Sequence, residues 1–207
     1  MSNDVKLGRD LARALAWAAK RDTSVPELLA VAAVVLADGG SRQQAVAAVV
    51  CGAVDRGRVR PKRIRRRFGG KVARIVVACC DQSKQRAKGP GGRAENRAEA
   101  WRRRRERRLA GWRDPATGTA PLRIGAAVEL CEVRALVATL RRVGPEAWLH
   151  RDAAAVDELW YRRSAALVLG ARRPGPLTLE LRATVRQLEE IAGWWFDVGD
   201  PQPGGAA

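Results

Sequence analysis

The sequence predicts an all-α domain, and three observations carry that reading. Apolar residues recur at helical spacing almost throughout, with no alternating apolar and polar run long enough for a strand. Ser, Pro and Gly stand where such helices would start and stop. The chain has 207 residues, 46% of them hydrophobic, enough to bury one sizeable core.

The elements follow in order. Leu7, Leu11 and Leu15 share a face with Ala14 and Ala18, which makes a first amphipathic helix. Ser24, Val25, Pro26 and Glu27 read as an S-x-x-E capping box with Pro in the first turn. They open a helix through Leu36 that Gly39 and Gly40 end. Ser41 to Gln44 repeats the device as S-x-x-Q and starts a helix to about Asp55, so the pair forms a helical hairpin. Pro61 to Phe68 is a short basic helix closed by Gly69 and Gly70, and Lys71 to Gln82 is a mostly apolar one. From about 83 to 97 the composition turns to Lys, Arg, Gly and Gln without apolar periodicity, as in a flexible basic loop. A strongly basic helix spans about Ala98 to Trp112. After a loop from Pro115 to Pro121, a long helix runs to about Val143, stopped by Gly144 and Pro145. Helices at about Ala153 to Leu169 and Leu177 to Ala192 complete a single domain over 1–198, and 199–207 reads as a disordered tail.

Charge is concentrated. Lys+Arg number 39 against 22 Asp+Glu, a formal +17. Arg56 to Arg113 alone holds 22 basic and four acidic residues, and the remainder is close to neutral. A coding bias toward Arg acts along a whole chain and leaves this clustering unexplained. A surface of this kind attracts polyanions. The longest apolar run, Leu28 to Ala37, has ten residues, about half of what a membrane-spanning helix needs. With no apolar stretch of signal-peptide type at the start, a cytoplasmic protein without membrane attachment is expected. Cys51, Cys79, Cys80 and Cys131 show no C-x-x-C spacing and read as reduced thiols. His150 is the only histidine, so a site needing two imidazoles cannot come from this chain.

Five stretches, taken in order, then acquire a meaning together. They are residues 28–32 (LLAVA), 48–55 (AVVCGAVD), 64–76 (IRRRFGGKVARIV), 122–127 (LRIGAA) and 159–164 (LWYRRS). In that order and spacing the chain resembles the HD superfamily of metal-dependent phosphohydrolases, most closely its small alarmone (guanosine polyphosphate) hydrolases. The resemblance covers roughly Leu11 to Ala192 and implies an HD-domain-like helical bundle around a divalent metal, usually manganese. The metal is held by one His, a His-Asp pair and a distant Asp. It generates hydroxide near neutral pH and neutralises the phosphate under attack.

In this sequence those four ligand positions fall on Glu27, Cys51, Gly52 and Val128, none of which matches. The water-positioning acidic pair falls on Asp55 and Arg56, so Asp55 is a possible catalytic remnant beside a cation. The resemblance also places Tyr161 near the substrate, Asp152 where an Asn is common, and the segment Trp101 to Leu109 on a helix over the phosphates.

The residues therefore point to a catalytically degenerate relative that binds a nucleotide or another polyanion as a regulator or interaction module. Arg65, Arg66, Arg67, Arg102, Arg103, Arg104 and Arg105 would supply phosphate contacts through their planar, multi-donor forks. Trp101 and Tyr161 are candidates for base contact, with packing an equal account of Trp101. No metal or other cofactor is expected. Two rivals stay open: a divergent phosphohydrolase holding manganese on Glu27, Asp55 and Glu129, and a nucleic-acid-binding protein that lays the basic loop and the Trp101 helix along a phosphate backbone. For Asp55 and Glu129 the plainer reading is surface or salt-bridged carboxylates among many arginines. For Cys51 and Cys131 it is buried small side chains.

Overall fold

The computed structural model describes residues 3–20, 24–55, 61–81, 97–149 and 154–198; the side chains of Asn3, Asp55, Cys80, Asp81, Arg97 and of 194–198 are not among the described parts. The basic loop, the C-terminal tail, His150 and Asp152 of the sequence reading lie outside these residues. Nine α-helices and no strands occur among them: α1 (Asn3–Ala19), α2 (Val25–Ala37), α3 (Arg42–Asp55), α4 (Pro61–Phe68), α5 (Gly70–Asp81), α6 (Arg97–Arg113), α7 (Thr119–Val143), α8 (Ala155–Arg172) and α9 (Pro176–Val198). A 3-10 turn, Gly144–Trp148, follows α7.

Two helices organise the bundle. Helix α3 is apolar on nearly every side, and Ala45 to Cys51 are all buried, as expected of a helix enclosed by others. It packs against α1, α2 and α5. The alanines at 45, 47, 48 and 53 let those neighbours approach closely. The second is α7, the longest, which meets α2, α5, α8 and α9 and buries Leu122, Ile124, Leu130, Val133, Leu136, Val137 and Leu140. Basic helix α4 packs on α5, and basic helix α6 packs on α8. Trp17 of α1 closes the α4 end, its ring edge-on to Phe68 at 5.5 Å and 85°.

The helix signals worked unevenly. At Ser41 both halves of the capping box form: Gln44 N–H donates to Ser41 Oγ at 3.3 Å, and Ser41 N–H donates to Gln44 Oε1 at 3.0 Å. Ser24 caps α2 without a side-chain hydrogen bond, so that box is not closed from the serine side. The long helix begins at Thr119 and takes Pro121 into its first turn, where the missing N–H has no intrahelical partner to lose. Gly39, Gly69 and Gly144 adopt φ values of 73°, 88° and 68° at the ends of α2, α4 and α7, the left-handed region that glycine enters without strain.

Candidate functional site

The walls of one cavity are built from most of the helices. Its volume is about 540 Å³. Helix α2 contributes Glu27, Leu28 and Val31; α3 contributes Ala48, Cys51 and Gly52; α5 adds Cys79; α6 adds Arg108 and Trp112. Helix α7 presents Val128, Cys131, Glu132, Ala135 and Thr139, a single stripe at i, i+3, i+4, i+7 and i+11. Glu27, Cys51, Gly52 and Val128, scattered over a hundred residues of sequence, all line this one space.

The donors at that space do not suit a metal ion. Among the described residues no group of three or more His, Cys, Asp or Glu side chains could hold one. The walls near Gly52 and Val128 are apolar: Leu28, Val31, Ile124 and Leu136. Leu28 in particular stands over the glycine, since a Cβ on residue 52 would lie 2.5 Å from Leu28 Cδ2. Burial pushes the Cys131 thiol up, more than the charge of Arg134 pulls it down, which favours the neutral form over the thiolate a metal needs. Trp112 fills the far wall, flat against α7, because a Cβ on Gly125 would come within 2.8 Å of its indole nitrogen.

Beside the cavity lies a buried ionic network that the sequence reading did not find. Arg162 is 1% exposed at its side chain, and its Nη1 donates to Glu129 Oε2 at 2.5 Å and to Glu132 Oε2 at 2.7 Å. Its Nε stands 3.2 Å from Glu158 Oε2, one turn earlier on α8. Tyr161 Oη donates to Glu129 Oε1 at 2.5 Å, and Arg108 Nη1 lies 3.7 Å from the same oxygen. Burial alone would raise the Glu132 carboxyl, but the charges of Arg162, Arg108 and Arg105 outweigh it and hold it down to about 2. Burial, then the charge of Glu129, pushes the Tyr161 phenol up, and the three carboxylates raise Arg162 further despite its burial. Glu129 is thus a salt-bridged carboxylate. It is fully buried, committed to three partners and absent from the cavity wall.

The arginine run of α6 divides by helical face. Arg102, Arg105 and Arg108, three residues apart, are engaged within the protein: Arg102, its side chain 47% exposed, bonds Asp157 at 2.5 Å and lies 4.3 Å over Trp160, and Arg105 lies 4.5 Å over Tyr161. Cation–π stacking of this kind fastens the helix to α8. Arg103 and Arg104 face solvent, as do Arg65, Arg66 and Arg67 on α4. Trp101 is 4% exposed and meets Tyr161 edge-on at 5.9 Å, so both base-contact candidates sit in the core, packed against one another.

Face positions of the second, third and seventh helices thus converge on one cavity in an all-helical bundle. The chain belongs to the HD domain family: the family's sequence profile matches residues 9–146. The 1.85 Å crystal structure of lmo0812 from Listeria monocytogenes EGD-e is similar in fold, with a TM-score of 0.64 at 18% identity, covering 79% of this chain and 99% of that one. No curated protein matches the sequence. No helix among the described residues is long and apolar enough to cross a membrane.

Proposed function

We propose that this HD-domain protein has given up metal-dependent hydrolysis, and that it binds a nucleotide or another polyanion as a regulator or interaction module. The observation that carries the reading is the convergence of Glu27, Cys51, Gly52 and Val128 on one cavity whose donors do not suit a metal. The rival metal set of Glu27, Asp55 and Glu129 is weakened by Glu129, which Tyr161 and Arg162 already occupy. Phosphate contacts fall to the solvent-facing arginines: Arg65, Arg66 and Arg67 on α4, and Arg103 and Arg104 on α6. Arg102 and Arg105 lie over the rings of Trp160 and Tyr161, where they hold α6 on α8.

The test is equilibrium binding of guanosine polyphosphates, inorganic polyphosphate and duplex DNA over a range of salt. The variants are Arg65→Ala/Arg66→Ala/Arg67→Ala and Arg103→Ala/Arg104→Ala. A nucleotide affinity that falls several-fold in at least one variant is the expected result. A slope of log K against log salt near −0.9 per phosphate contact, on DNA alone, would instead favour the nucleic-acid reading. No measurable binding of any polyanion at low salt would overturn both.

A further inference from the structure

We infer that the axial cavity is a binding pocket for an uncharged, mainly apolar small molecule, a ligand class distinct from the polyanion assigned to the surface arginines. Its volume of about 540 Å³ falls within the range of small-molecule sites, about 300–1,000 Å³. It is a cleft open at the Glu27 rim rather than a sealed packing void, so a ligand can enter it. Leu28, Val31, Ala48, Ile124, Val128 and Leu136 give it apolar walls, and Trp112 supplies a flat aromatic one.

Charge decides the ligand class. Among the described residues three charged side chains reach the cavity, and each is engaged within the protein. Glu132 accepts from Arg162 at 2.7 Å. Arg108 lies 3.7 Å from Glu129 and 5.7 Å over the Trp112 ring. Glu27, at the exposed rim, also has an interaction within the chain. A ligand that carried a formal charge inside would lose its hydration without gaining an unpaired counter-charge. An uncharged apolar body meets no such penalty, and Thr139 and the thiols of Cys51, Cys79 and Cys131 offer it weak hydrogen bonds. The inference does not depend on polyanion binding.

Two probes with the same aromatic skeleton test it: neutral N-phenyl-1-naphthylamine and its sulfonated counterpart, 8-anilino-1-naphthalenesulfonate. Val128→Trp and Cys131→Phe each place bulk in the cavity from partly buried positions on α7. Thermal unfolding shows which of the two is folded, and either suffices. The expected result is one saturable site for the neutral probe, at least tenfold weaker in the filled variants. The filler-sensitive part of sulfonate binding should be at least fivefold weaker than that of the neutral probe. The inference is overturned by absence of a saturable site, by binding that persists undiminished in folded fillers, or by sulfonate binding in the cavity as tightly as the neutral probe.

Discussion

Arg162 is the cation on which the buried carboxylates depend, so Arg162→Met tests the network directly. Methionine keeps much of the length and apolar volume and removes the charge. Glu129 and Glu158, with side chains 1% and 2% exposed, then lose their nearest cation. Removing one partner of a buried ion pair costs about 3–5 kcal/mol. Two buried carboxylates lose that cation at once, which puts the expected loss at about 4–5 kcal/mol, the upper part of that range. For a chain of this size that corresponds to a drop of roughly 10–15 °C in Tm.

The pH dependence gives the experiment a second axis. In the native protein the Glu132 carboxyl is depressed from 4.5 to about 2. The stability it contributes is therefore present above about 4.5 and fades as the pH falls toward 2. In the variant, burial is opposed only by Arg108 and Arg105, and stranded carboxylates gain from taking up a proton. The deficit should be largest near pH 7.5 and should shrink near pH 5. Urea unfolding followed by tryptophan fluorescence measures both. A loss under about 1 kcal/mol at pH 7.5, or an equal loss at the two pH values, would refute the reasoning.

Asp38, 8% exposed at its side chain, accepts from Arg123 Nε at 2.8 Å and from Arg173 Nη2, which ties the end of α2 to α7 and to the α8–α9 turn. Asp38→Ala should cost about 3 kcal/mol by leaving two partly buried guanidinium groups behind, read by urea unfolding. Gly52→Asp places a carboxylate at the cavity but drives against Leu28. It should cost about 1–3 kcal/mol, and the cost should be smaller in a Leu28→Ala background. A double-mutant cycle reads that coupling, and strictly additive losses would show that Leu28 is not the obstacle.

Much of the fold was legible because local signals and tertiary packing agree. The Pro61 to Phe68 helix, the Gly-terminated hairpin and the S-x-x-Q box at Ser41 all rest on interactions within a few residues. Two boundaries moved: α7 takes in Pro121, which lies in the cavity wall, and α9 continues past Ala192 to Val198. Glu27, Cys51, Gly52 and Val128, singled out by the resemblance, share one cavity because a bundle fixes which helical faces look inward. The ionic network was not readable. Arg162 stands in a run with Tyr161 and Arg163, and nothing in composition separates an arginine that is 1% exposed from one that is 67% exposed. The one available signal was the spacing of Glu158 to Arg162 and of Glu129 to Glu132, which places each pair on one face of its helix. The arginines of α6 gave the opposite difficulty. A count of charges takes all six as surface, whereas the three-residue period sends Arg102, Arg105 and Arg108 onto aromatic rings.

The proposed loss of hydrolysis is tested most directly by release of phosphate or pyrophosphate from a nucleotide panel, guanosine polyphosphates included, by purified protein with added manganese, alongside Asp55→Ala. Release no faster than in the protein-free control is the predicted result. Turnover that disappears in a folded Asp55→Ala protein would mean that this chain's own carboxylates support hydrolysis, and would contradict it.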